Sequence, residues 1–152
     1  GPGSFTGTRV ASSVIQAIAY THNIPVIGIS SMWLMAYQAS RIRSLDQYCC
    51  IKHAYGEMLY ISYFSSPLDK NNINVKLIKK SELSIKDDEN VIIEDDSLVK
   101  MVNLQHPNII NLSEHHKSLD AISQIEALES NDYKEKNFDL KTTLPDYADH
   151  EV

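Results

Sequence analysis

Between Gln47 and Lys80 hydrophobic residues recur at every second position through three runs, QYCCIKH, EMLYISYF and INVKLIKK. A period of two suits strands and little else. Gly56 interrupts the first pair of runs and PLDKNN, residues 67 to 72, the second, so the stretch predicts a three-stranded antiparallel meander. Upstream the period is helical. Val10, Val14, Ile15, Ala17 and Ile18 mark a helix over Thr8 to Asn23, with Gly7 just ahead of it. Arg9, Ser12, Ser13, Gln16 and Tyr20 share another face, mostly small and weakly polar, that another helix can approach closely. PVIGI, residues 25 to 29, reads as a short buried strand, and Ser30 or Ser31 caps the next helix, MWLMAYQASRIRS. That helix is apolar on nearly every side, so it should lie between layers, with Met32, Trp33 and Met35 in the core. Beyond the meander come VII at 91 to 93, a helix near Asp95 to Val102 capped by Asp95 or Asp96, a strand at 108 to 112, and a helix from about Ser118 to Glu129.

The chain is thus α/β. A boundary is expected near Ser44 to Gln47, giving a helix–strand–helix part over 1–46, a second part over 47–140, and an acidic tail, DYADHEV, within 141–152. A length of 152 residues suffices for a core without staples. No apolar run approaches a membrane span. The formal charge of −6 divides into +2 for residues 1–66 and −8 for the rest. No cluster of cations stands ready to release counterions from a polyanion. Cys49 and Cys50 are adjacent in a strand, so they point to opposite faces and cannot share a metal. They read as small buried hydrophobes in a reducing, cytoplasmic setting.

Candidate chemistry is sparse. His106, His115 and His116 lack metal-site spacing, and no HExxH occurs. His22 reads as a polar helix end, Glu57 as a solvated turn carboxylate. The acidic runs Asp87 to Glu89 and Glu94 to Asp96 lack calcium-loop spacing and read as a solvated face with a helix cap. One stretch stands apart: GPGSFTGTR, residues 1 to 9. Gly1, Gly3, Ser4 and Thr6 ahead of a helix are the parts of a phosphate turn or of a close backbone contact, although the P-loop lysine is missing. GPGS alone could also be a tag scar.

GPGSFTGTR, followed by an alanine-rich helix and then NIPVIGISS, resembles the TsaB (YeaZ-like, glycoprotease-like) family, and IKHAYGEMLY stands where that family has a D-A-R-x-G-E-V-Y-like strand pair. The match extends through FTG, beyond any scar. The resemblance implies an actin-like ATPase fold of the sugar kinase, Hsp70 and actin type with RNase H-like lobes: here a partial first lobe over 1–46 and a complete second lobe over 47–140. The strand-rich half-lobe that the family carries before GPGSFTG is missing from this sequence, which implies a truncated or split reading frame. The implied role is that of a non-catalytic scaffold or activator in threonylcarbamoyladenosine modification at position 37 of tRNAs reading codons that begin with A. It would pair with TsaD as a heterodimer, work with TsaE after TsaC has made the adenylate, and meet tRNA only through the complex. A homodimer of the lone chain is the other pairing the helix could support. Partner-facing residues would be Arg9, Ser12, Ser13 and Gln16. No cofactor of its own is implied, with ATP or ADP placed at the interface of the complex. Ala11 stands at the family's R-x-G glycine, and Lys52, His53 and Ala54 replace D-A-R. A reading from another class is an ATPase or phosphotransferase using Gly1 to Thr6 for phosphates, or a peptidase as the older name suggests.

Overall fold

A computed structural model describes residues 1–3, 5–24, 26–69, 72–117, 119 and 121–129. Nine elements organise them: α1 (Phe5–His22), α2 (Ser31–Ile42), β1 (Gln47–Tyr55), β2 (Met58–Ser65), β3 (Val75–Lys79), β4 (Val91–Ile93), α3 (Asp96–Val102), β5 (Ile109–Asn111) and α4 (Ala121–Glu129). The strands form one sheet in the order β3-β2-β1-β4-β5. The expected meander accounts for its antiparallel half, with Ile51 opposite Ile61 and Ile61 opposite Lys76. β4 and β5 extend it in parallel, Cys49 facing Val91 and Ile92 facing Ile110. Gly56, at φ +51°, occupies the left-handed region at the β1–β2 turn, where a side chain would be strained.

Alternation along β1 distributes the core over both faces of the sheet. Cys50 joins Tyr48, Tyr60, Phe64, Ile92 and Leu112 beneath α2 and Ala127 of α4. Cys49 joins Ile51, Leu59, Ile61, Val91 and Ile93 against Leu98 of α3. Both thiols are free and buried, as small hydrophobes. Residues 32 to 39 of α2 are all buried, so the helix is indeed enclosed. Trp33 stacks on Tyr37 at 5.4 Å, and the Tyr37 hydroxyl donates to the Glu126 carbonyl of α4. Residues 43 to 46 connect α2 to β1.

Three expectations need correction. Residues 26 to 29 are not a strand: a strand exists only by pairing, and no described segment pairs with them. The first helix begins at Phe5, with Gly7 inside its first turns, and closes at Asn23, whose φ of +52° lets the Ile24 N–H reach the Ala19 carbonyl. The stripe that gave α1 its period is uncovered: Val10, Val14, Ile15 and Ile18 are each about half exposed, from 48% to 58%. Among the described residues the sheet's two faces are taken by the other helices and by the chain from Leu83 to Leu104, and no α1 side chain belongs to either core cluster. The last helix starts at Ala121; Ser118, Asp120 and the tail 141–152 lie outside the described residues.

Candidate functional site

The opening turn is held by its carbonyls. Ser31 donates twice, its backbone N–H to the Gly1 carbonyl at 2.6 Å and its hydroxyl to the Pro2 carbonyl at 2.9 Å. The Tyr60 hydroxyl, from the middle of β2, donates to the Gly3 carbonyl at 3.2 Å. Burial raises the Tyr60 phenol above its ordinary range, so it stays a protonated donor. A Cβ at Gly3 would stand 3.3 Å from the Thr8 hydroxyl, a tight approach at the start of α1. Pro2 is buried beneath this junction.

The two serines of GISS divide their labour. Ser30 is the N-cap of α2, its hydroxyl accepting from the Trp33 N–H, whereas Ser31 reaches back to the turn. A phosphate needs donors. The Gly1, Pro2 and Gly3 carbonyls are acceptors turned into the fold, and the first amide of α2 is already taken by Gly1, so none of these four groups is a donor open to a phosphate. Of the residues singled out for a phosphate or close backbone contact, Gly1 and Gly3 sit in this junction, Thr6 is exposed, and Ser4 lies outside the described residues.

α1 leaves the turn with its least exposed strip made of Thr8, Ser12, Gln16 and Ala19. Of the four residues expected to face a partner, Arg9 and Ser13 are exposed, while Ser12 and Gln16 are half-buried on that strip. The broad remainder of the surface carries Val10, Val14, Ile15 and Ile18 on one face, with Tyr20, 82% exposed, beside Arg9 and Ser13 on another. Such a contiguous apolar stretch on one helix is the surface usually found where polypeptides meet.

Elsewhere the polar groups serve the fold. Lys52 pairs with Glu94 at 3.2 Å, and His53 lies 3.1 Å from the Gly56 carbonyl across the hairpin turn. His106 bridges loops, Nε2 to the Lys86 carbonyl and Nδ1 accepting from the Asn108 N–H. His115 and His116 are exposed in a single 3-10 turn. Asn111, buried, donates to Asp96 at 2.6 Å and accepts from both the backbone and the hydroxyl of Ser113; nothing in its sequence context marked it. Asp95 caps α3 through the Ser97 N–H, and hydrogen bonds from Ser97 hold its carboxyl below the ordinary value. Burial pushes the Cys49 thiol up to about 12 and raises the Cys50 thiol well above its ordinary value, far from any nucleophile's range. A cavity of about 390 Å³ lined by Lys80, Asp87, Asn103 and His106 shares no residue with the opening turn or α1. Among the described residues no three His, Cys, Asp or Glu side chains gather as a metal site, and no helix is long and apolar enough to cross a membrane.

Known proteins resemble this chain most clearly at its opening. The family model described as TsaD, tRNA N6-adenosine threonylcarbamoyltransferase, matches residues 1–60. The tRNA threonylcarbamoyladenosine biosynthesis protein TsaB of Haemophilus influenzae is 41% identical over 46 residues, 30% of this chain and 20% of that protein. The protein of the same name from Buchnera aphidicola is 30% identical over 73 residues, 48% of this chain and 32% of its own length. The matched stretches thus span a third or less of those relatives. In fold the chain is similar to a crystal structure from Pseudomonas aeruginosa described as an uncharacterized protein with similarity to peptidase YEAZ, with a TM-score of 0.61, 17% identity, and coverage of 98% of this chain and 70% of that one. It is also similar to YeaZ from Pseudomonas aeruginosa, with a TM-score of 0.54, 18% identity, and coverage of 73% of this chain and 55% of that one. The glycine turn, the helix it launches and the mixed sheet agree with these matches: the opening of the chain is similar in sequence to TsaB proteins, and its fold is similar to that of YeaZ structures.

Proposed function

We propose that this chain is a non-catalytic partner subunit in the threonylcarbamoyladenosine modification of tRNA position 37, pairing with a TsaD-type transferase through α1. The observation that carries the reading is α1 itself, a helix seated on a fixed turn with Val10, Val14, Ile15 and Ile18 left to solvent. The names of the curated relatives and the TsaD-type model over residues 1–60 support the pathway. In this reading Arg9, Ser12, Ser13 and Gln16 lie at or beside the contact, Arg9 and Ser13 directly. The chain has no cofactor of its own; ATP or ADP belongs at the joint of the complex, and TsaE and tRNA are met through it. The architecture proposed is the actin-like one, with residues 47–140 as its RNase H-like lobe. The sheet in which an antiparallel meander is continued by two parallel strands supports it.

Coexpression with TsaD tests the reading. The chain is expected to copurify, and Ser13→Arg, a change at an exposed position, is expected to abolish copurification while leaving the fold intact by circular dichroism. Copurification that survives Ser13→Arg removes the Arg9 and Ser13 face from the contact, and a chain that never copurifies removes the pairing.

A further inference from the structure

We propose that Ser31 and Tyr60 are positioning residues that fix the pose of α1 by clamping three successive carbonyls of the opening turn. Gly1, Pro2 and Gly3 each accept one hydrogen bond, and the donors belong to parts of the fold that cannot easily move. Ser31 opens α2, whose next eight residues are buried. Tyr60 is itself buried, paired on one side with Lys52 and on the other with Leu77. α1 begins two residues beyond Gly3, and none of its described side chains belongs to either core cluster. The clamp therefore carries orientation from the sheet and α2 into a helix of which, among the described side chains, only Ala19 is buried. The arrangement also answers a need of α2: the Ser31 N–H would otherwise be one of the unsatisfied amides of a helix start, and the Gly1 carbonyl takes it. Two adjacent serines are required because the cap and the clamp are separate tasks, Ser30 bonding forward to Trp33 and Ser31 backward to Pro2.

The consequence for pairing rests on the function proposed above; the clamp itself does not. Amide hydrogen exchange of the whole chain, followed by mass spectrometry, tests the clamp in Ser31→Ala and Tyr60→Phe. Each variant deletes one hydroxyl and keeps the backbone donor or the buried ring. Losing one such bond is expected to speed exchange of the amides of residues 5–22 about tenfold. Exchange in β1 and β2 should be unchanged, and Ser31→Thr should restore the wild-type rate. If the Ser31→Ala/Tyr60→Phe double variant exchanges over α1 as the wild type does, the clamp is refuted. Affinity for TsaD should fall by the same factor as α1 loosens, since only the correctly posed fraction binds. Faster exchange with undiminished affinity refutes the positioning role. Faster exchange in a chain whose wild type never binds TsaD leaves the clamp standing and removes the proposed function alone.

Discussion

α1 and α2 follow one another in the chain, both carry apolar residues at helical spacing, and they meet opposite fates. In α2 Trp33 and Met35 are wholly buried; in α1 Val14 and Ile18 are 51% and 49% exposed. The difference lies in what surrounds each helix. α2 is apolar around nearly its whole circumference and fills the space between the sheet and α4. α1 meets the rest of the molecule through the opening turn and a strip of small or polar residues. A hydrophobic stripe shows that a helix can bury a face, not that its own chain supplies the cover.

The sharpest way to break that contrast is to truncate one large side chain in each helix. Trp33→Ala should cost about 3–5 kcal/mol, enough to leave a domain of this size barely folded. Ile15→Ala should change stability by no more than about 0.5 kcal/mol. Urea midpoints measured side by side decide the matter. A large loss at Ile15 would mean that α1 is packed after all.

A second change sharpens the account of α2. Gln38 is fully buried, and neither the nitrogen nor the oxygen of its amide has a hydrogen-bond partner among the described residues. Desolvating such a group without compensation is costly. Gln38→Met, which keeps the length of the side chain and removes the orphaned amide, should therefore stabilise the chain by about 1–3 kcal/mol. A lower urea midpoint in the variant would show that the amide is satisfied, for instance by an internal water.

These two helices also mark how far the sequence could be read. The meander, the enclosed α2, the Asp95 cap and the opposed cysteines follow from period and residue type, because each depends on neighbours in the chain or on a face that alternation assigns. Residues 26 to 29 show the limit: β-branched and apolar, they have the composition of a strand but no described neighbour to pair with. Which face of α1 the fold covers was not legible for the same reason, since it depends on other elements. Ser31 and Tyr60 were invisible as a pair because their carbonyl partners lie 29 and 57 residues away. Asn111 was missed likewise; its tie to Asp96 exists only once β5 and α3 are placed.

The third helix, α3, offers the smallest and most specific test. It has seven residues against eighteen in α1, yet it is held at both ends of the argument: Leu98 lies in the core and Asp95 caps its first turn. The Asp95 carboxyl is depressed first by its side-chain bond with Ser97 and then by the Ser97 amide. A carboxyl depressed in the folded state stabilises above its unfolded value, near 3.8, and that contribution is lost as pH falls through the lower folded value. Asp95→Ala should thus cost about 1 kcal/mol at neutral pH, the ordinary worth of an N-cap. The gap between wild type and variant should narrow as the pH is taken below 3.8. Thermal melts from pH 7 to pH 3 measure it, and a gap that stays constant would mean that the carboxylate's charge contributes nothing to holding α3. Exchange over α1 should be the same in both proteins, since α3 packs on the face of the sheet away from α2 and the turn that α2 clamps.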